Sequence, residues 1–573
     1  MPPRRYVVLG LWVLVVDAWF QGPIVGRWVG PLAAVPLAVA LLALAGWEIA
    51  RRPRSAEATA AEDRRFLLAI AVVAVLATLV RLPALAAPAS LISSDSAVAG
   101  IIAQELAAGQ RPAPIYAPGF PYEGTLKPHL TALLSWLLPG GIPATYAWTS
   151  HLFHLLWTMA VMVLARHAAG LPAAVAAGLF MAVSPRFLVA FSLNNVGQYP
   201  EVNALGALAL VVLCTRGALL AAGFLLGLAV WQQLLAVYFV VTAAIVILAT
   251  PDWRRPRRIA DATAGFFAGS YPLWVWNAAN AWATFDLFRR GGKQPVDRIA
   301  GFPDRIERTL AVSFPKMFGL TDLGAGADLA LVLGAALPVL VLVMAVASRA
   351  DIKQRRGRSP ALVALVLFVA VVALFAASKF SHRGAQRPRY LMPVYTSVAV
   401  AFGWGIASLG RRSRVAAGAA AATVLGANLV GLVPWLQGRA GAEARDRALL
   451  AELYRLQIKT GYAGFWVAPK YTFLAEGKVV LSGELGPIVS WVHPGHAARV
   501  REAGPDAYLV GIGDLASSFE ARLGQLACPY RRSDVSGVAI FHSLCRRITL
   551  EEVAGYDLPA TPPEETEPPD SDP

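Results

Sequence analysis

The chain has 573 residues, 57% of them hydrophobic and only 15% charged, with a formal charge of +15. Its mean hydropathy is +0.54. A soluble chain is near half apolar and about a quarter charged, so this composition excludes an ordinary soluble enzyme and fits a polytopic membrane protein with a modest polar part. The basic excess does not mark a nucleic-acid binder, because the arginines gather in loops between apolar segments.

A spanning helix needs roughly 20 mostly apolar residues, and about thirteen segments approach that test. They lie near 6–20, 28–49, 66–85, 143–165, 171–189, 201–214, 217–232, 233–250, 258–276, 327–348, 360–377, 390–409 and 414–435. The segments 201–214 and 217–232 fall short of a full span. The first segment has a basic start and an apolar core, as a signal peptide does. Ala18-Trp19-Phe20-Gln21 is a poor cleavage site, so it reads as a retained helix. Basic clusters occur at Arg4–Arg5, at Arg51 to Arg65, at Arg254 to Arg258, at Arg349 to Arg358 and at Arg411 to Arg414. With a cytoplasmic N-terminus every cluster is cytoplasmic, as the positive-inside rule requires. An odd number of spans then puts the loop around Asp95 and the C-terminal region outside.

Residues 1–50 read as an N-terminal transmembrane helix pair. Residues 66–435 form the main membrane body, with outward loops 86–142, 277–326 and 378–390. From 436 to 556 short apolar runs alternate with charged stretches. Glu443 to Ile458 reads as an amphipathic helix. Ala463–Val467, Val479–Ser482 and Ala507–Gly511 read as short buried strands, with a helical pattern at 515–525 and a hairpin near 527–543. That alternation predicts a small α/β domain with a largely parallel sheet. Cys528 and Cys545 flank the hairpin. An outside compartment permits disulfides and the spacing is compatible with one, but spacing does not fix geometry. Cys214 reads as a core residue. Residues 557–573, rich in Pro, Glu and Asp, read as a disordered acidic tail.

The candidates for chemistry sit in the outward loops. The first loop runs from Ser93-Ser94-Asp95-Ser96 to Lys127-Pro128 and holds Asp95, Glu105, Glu123, Lys127 and His129. Charged groups beside a membrane are expensive and usually functional. Asp95 reads either as a general base or as a helix N-cap, a role open to Ser94 as well. Lys127 reads either as a point charge for a phosphate or as a lysine whose stem covers apolar surface while its head reaches water. Glu123 could pair with it at i,i+4, but Gly124 argues against a helix there. His151 and His154 lie one turn apart and, with His129, could hold a metal; such histidines more often hydrogen-bond within a bundle, and no metal is predicted. Glu201, after Gln198-Tyr199-Pro200, is well explained by the helix dipole, with a supporting role in a site as the less favoured reading. The third loop, Lys379 to Tyr390, carries Lys379, His382, Arg383, Arg387 and Arg389 on the side where the charge rule disfavours them. An anionic ligand would repay that, because arginine grips phosphate through a planar fork of donors. Anchoring to lipid headgroups or to acids of the outside domain is the other reading.

Together these pieces resemble the GT-C superfamily of membrane glycosyltransferases, in particular the aminoarabinose transferases and protein O-mannosyltransferases. The resemblance rests on Ser94-Asp95-Ser96-Ala97, on Tyr122-Glu123 followed by Lys127-Pro128, on Arg389-Tyr390-Leu391-Met392-Pro393, and on the closing outside domain. It covers roughly 66–545. It implies a mainly α fold, a helical membrane bundle with a small C-terminal α/β extracytoplasmic domain. It also implies transfer of a sugar from a polyprenyl-phosphate donor to a hydroxyl of a glycan, lipid or protein acceptor, with inversion, at a bacterial cytoplasmic membrane. Asp95 would be the catalytic base. Lys127, Arg387, Arg389, Arg383 and Lys379 would bind the donor phosphate, with Glu123, Tyr122, His382, Tyr390 and Glu201 in support. The chain departs from many relatives in having Asp95-Ser96 where they have Asp-Glu, and in the three residues separating Glu123 from Lys127. That leaves metal dependence and acceptor open. The competing readings are a transporter or flippase of a lipid-linked sugar, and a non-catalytic member of the same fold. A transporter should carry polar residues at mid-membrane, where this chain has mostly Ala, Leu, Val and Gly.

Overall fold

The computed structural model describes residues 3–25, 60–110, 113–193, 196–290, 301–322, 324, 326–381, 388–485 and 493–553. The segment expected at 28–49, the tail 557–573, and the candidates His382, Arg383 and Arg387 lie outside the described residues, and for Lys379 the backbone alone is described.

In chain order the helices of the membrane part are α1 (Pro3–Trp19), α2 (Ala60–Leu85), α3 (Ser94–Ala107), then after a short hairpin of β1 (Tyr116–Ala117) and β2 (Phe120–Gly124), α4 (Leu126–Leu134), α5 (Gly141–Ala182), α6 (Arg186–Leu193), α7 (Tyr199–Arg216), α8 (Leu219–Gln232), α9 (Val237–Ala249), α10 (Pro256–Gly269), α11 (Tyr271–Ala279), α12 (Ala283–Arg290), α13 (Phe302–Arg308), α14 (Phe314–Met317), α15 (Ala327–Ala347), α16 (Arg349–Arg355), α17 (Pro360–Ala377), α18 (Val394–Gly410) and α19 (Arg414–Arg455). Four of them, α2, α5, α17 and α19, are individually long and apolar enough to cross a membrane, and α15 with the bent segment after it makes a fifth candidate. The rest of the expected spans that fall on described residues are shorter or broken. The stretch 258–276 is α10 and α11, which meet at Ser270. The expected span 143–165 and most of 171–189 are joined as the 42-residue α5, broken at Ala169 and Gly170, while the end of the second falls in α6.

The outer surface of α2 shows how these helices meet lipid. Leu67, Leu68, Val72, Val75, Leu79 and Leu82 are all exposed, while Val73 and Ala77 are buried on the opposite side. Exposed apolar rows on a helix whose backbone bonds are internally satisfied suit hydrocarbon. Where helices touch one another, small residues do the work. Gly223 and Gly227 of α8 meet Gly265 and Gly269 of α10 so closely that a Cβ on Gly223 would stand 2.1 Å from the Ala262 carbonyl oxygen. Without glycine the two backbones would be forced apart.

The C-terminal part follows without a break, because α19 runs 42 residues. The expected membrane segment ending at 435 and the amphipathic helix expected from Glu443 are one continuous rod. Beyond it come β3 (Thr460–Ala463), α20 (Ala468–Leu474), β4 (Val480–Ser482), α21 (Pro494–Ala503), β5 (Ala507–Gly511), α22 (Asp514–Gln525), β6 (Arg531–Val535), β7 (Val538–His542) and α23 (Leu550–Val553). The sheet order is β4-β3-β5-β7-β6. β3 is parallel to β4 and β5, and the β6–β7 hairpin adds an antiparallel edge. The strand expected at Ala463–Val467 is displaced toward the N-terminus, because the chain turns at Gly464, whose carbonyl accepts from Val467 and Ala468. Cys528 and Cys545 form a disulfide across the hairpin, and Cys214 is buried and free.

This domain docks on α3. Phe473 lies against Gly100, and its carbonyl accepts a 2.7 Å hydrogen bond from Gln104. Glu443 accepts from the backbone of Ser90, just ahead of α3.

Candidate active site

Four serine and aspartate residues in a row compete to cap α3. Ser93 takes the role: its hydroxyl accepts from the Ser96 amide, and the Ser96 hydroxyl accepts from the Ser93 amide in return. The alternative cap positions considered above, Ser94 and Asp95, are therefore not the cap. Asp95 lies in the first turn, half-buried, between the fully buried Ser94 and Ser96.

Facing it is the β1–β2 hairpin, which ends in Tyr122, Glu123 and Gly124. Gly124 is required by a close approach: a Cβ there would stand 2.6 Å from the Trp231 carbonyl at the end of α8. The chain then turns into α4, whose Leu126 amide donates to the Gln232 side-chain oxygen at 3.2 Å. Glu123 is buried and within electrostatic reach of Asp95, Arg389 and Glu201. Burial, followed by repulsion from Asp95, pushes its carboxyl up to about 8, with Arg389 opposing. Tyr122 feels Glu123, Tyr390, Asp95 and Arg389, and burial raises its phenol. Tyr390 packs on Phe380 at 4.4 Å and edge-on to Tyr199 at 6.4 Å, and the Arg389 guanidinium lies 5.7 Å from its ring centre. Residues from α3, the hairpin, the start of α7 and the turn before α18 thus converge at one end of the bundle.

Lys127 overturns one reading. It has no exposed surface, so it does not reach water past an apolar stem. Its ammonium donates to Ser150, stands 3.5 Å from the Tyr146 ring centre and lies 3.9 Å from a Glu201 carboxylate oxygen. Burial pulls it below its ordinary value and Glu201 opposes that. The ionic partner is Glu201 because β2 ends at Gly124 and α4 begins at Leu126, which denies Glu123 the helical spacing to Lys127.

The histidines named as possible metal ligands are engaged separately. His129 accepts from the Trp19 indole at 2.8 Å and contacts the Thr125 carbonyl. His151 bonds Thr78 at 2.9 Å, and His154 bonds the Met181 carbonyl at 3.2 Å.

The sequence reading missed an amide-rich wall. Gln232 and Gln233 fall at the junction of the expected segments 217–232 and 233–250. Both are buried beside Gly124 and Gly197. Gln232 Nε2, Gln233 Oε1, Gln198 Oε1 and both Glu201 carboxylate oxygens are buried without a hydrogen-bond partner among the described residues. Buried polar atoms are normally satisfied, so a group of orphans behind the Asp95 loop marks a place built to meet something polar. Two adjacent amides inside an apolar stretch were the available signal.

No protein-family model matches the chain, and no curated protein matches it. The fold defines a class nevertheless: a helical bundle, several of whose helices are long and apolar enough to cross a membrane, closed by a small C-terminal sheet domain. Among solved structures it is similar to ArnT from Cupriavidus metallidurans. The ArnT structure bound to undecaprenyl phosphate matches with a TM-score of 0.56 and 14% identity over 83% of this chain and 97% of that one. The apo structure matches with a TM-score of 0.56 and 15% identity over 85% and 99%. At this identity the likeness establishes architecture, and the chemistry has to be argued from the residues.

Proposed function

We propose that this protein is a glycosyltransferase that moves a sugar from a polyprenyl-phosphate donor to an acceptor hydroxyl, with inversion. We place the reaction at the outer face of a bacterial cytoplasmic membrane, with the N-terminus inside and the C-terminal domain outside, as the basic loops suggest. The observation that carries the reading is the convergence of Asp95, Glu123 and Arg389 at one end of an ArnT-like bundle.

Asp95 accepts the proton of the acceptor hydroxyl. The acceptor oxygen bonds to the anomeric carbon as the bond from that carbon to the phosphate oxygen breaks. The electron pair leaves with the polyprenyl phosphate, whose charge Arg389 meets. Lys379, Arg383 and Arg387 belong to the same loop and are assigned to the same anion. Two adjacent carboxyls do not both ionise freely. Glu123, with its carboxyl pushed up to about 8, holds its proton near neutral pH. Lys127 can serve the phosphate only by exchanging its pair with Glu201. Gln198 Oε1, Gln232 Nε2 and Gln233 Oε1, buried without a hydrogen-bond partner among the described residues, suit a hydroxyl-rich sugar.

The test is sugar release from radiolabelled polyprenyl-phosphate sugars in proteoliposomes, comparing wild type with Asp95→Asn. Turnover should fall on the order of 10²–10⁴-fold with donor binding retained. Equal turnover would remove Asp95 from the mechanism, and lipid moving between leaflets without any transfer would make the protein a flippase.

A further inference from the structure

Glu105 stands at the other end of the helix that carries Asp95, on the side where the C-terminal domain docks. His493 and His496 come from the start of α21 in that domain. His493 Nε2 is 3.0 Å from Glu105 Oε1, and the two imidazole rings lie 4.1 Å apart. One ligand atom from each of the three residues falls within a group no wider than 4.8 Å, and all three side chains are half-buried. We propose that Glu105, His493 and His496 form a divalent-cation site, fitted to zinc, that fastens the C-terminal domain to α3.

Two imidazoles and one carboxylate, with a fourth position for water, are a zinc ligand set. Ligand atoms held about 2.0–2.1 Å from a tetrahedral zinc stand about 3.3 Å apart. The His493–Glu105 separation is already close to that, so the third ligand has only a small distance to travel. A plain hydrogen bond between His493 and Glu105 accounts for two of the residues but leaves His496 unexplained. Its ring lies tilted against that of His493 and makes no hydrogen bond among the described residues. One existing contact would be given up. His493 Nδ1 caps α21 by accepting the His496 amide at 3.4 Å. Metal on Nε2 puts the ring proton on Nδ1 and ends that bond, which is long and correspondingly weak.

The site is independent of the donor chemistry, and its test does not use activity. Tag-free full-length protein in detergent is stripped with EDTA, dialysed against zinc and measured for bound metal and melting temperature. Wild type should retain about one zinc per chain and melt higher when loaded, because the ion binds the folded state. His496→Gln and Glu105→Gln should each lose the zinc and the shift, while the melting point of His496→Gln in EDTA stays at that of stripped wild type. Wild type that holds no more zinc than the two variants would overturn the site. So would a His496→Gln variant that still takes up a full equivalent, which would leave only the Glu105–His493 bond.

Discussion

Two fully buried cations at the same end of the bundle are treated in opposite ways. Arg81 of α2 is surrounded by acceptors: the Ala77, Met181 and Ala182 carbonyls and the Ser184 and Ser192 hydroxyls. It ties the end of α5 to α6 and needs no carboxylate. Lys127 has Ser150, the Tyr146 face and a carboxylate at 3.9 Å, in a wall where Glu201, Gln198, Gln232 and Gln233 keep unpartnered atoms. A closed hydrogen-bond shell marks scaffold. A charge beside unspent donors and acceptors marks a place where something else binds.

The comparison can be broken most directly at Lys127. Lys127→Met should cut transfer on the order of 100-fold and destabilise the protein by leaving Glu201 buried and alone. The double variant Lys127→Met with Glu201→Gln should recover the melting temperature but not the turnover. Recovery of both would make the lysine scaffold, like Arg81. Arg81→Met should lower stability by about 3 kcal/mol, since several buried acceptors lose their donor. Turnover per folded molecule should stay at the wild-type value, as read by thermal unfolding beside single-turnover assays. A kinetic defect that survives correction for folded fraction would merge the two classes.

A smaller effect belongs to Glu123. Its carboxyl is raised from 4.5 to about 8 in the folded protein, so the folded state binds more protons than the unfolded one between those values. Stability therefore falls as pH rises through that window. Glu123→Gln should flatten this limb in pH-dependent melting, and an unchanged slope would show that another group carries it. The smallest effect is expected from Gln232→Leu. It should raise the KM for donor several-fold with only a small fall in melting temperature, since among the described residues its Nε2 has no hydrogen-bond partner and its Oε1 has only the 3.2 Å bond from the Leu126 amide to lose. An unchanged KM would take Gln232 out of the sugar contact.

Much of the membrane body could be read from composition. Ala327–Ala347 and Pro360–Ala377 lie almost where continuous apolar runs placed them, because such runs have few alternatives. Tyr122, Glu123, Arg389 and Tyr390 stand out in the sequence as polar residues at turns between apolar segments, and the structure brings them together. What escaped depends on contacts between distant helices. Lys127 and Glu201 meet only through the packing of α4 on α5 and α7. The cap fell to Ser93 because Ser96 reciprocates, a choice that local propensity does not make among four similar residues. Glu105 gave no sign of His493, since the docking of α21 brings them together.

The single rod α19 has a mechanical consequence. At 42 residues it is about 63 Å long. About two-thirds of the way along it, Glu443 and Arg439 grip the backbone of Ser90, just ahead of the turn that caps α3. A helix in a bilayer changes tilt to match the local hydrocarbon thickness, and a change of about 10° would swing the far end of such a rod by roughly 11 Å. Because the same rod carries the contacts to Ser90, any change in its tilt would be felt together at the sheet domain and at the turn ahead of Asp95.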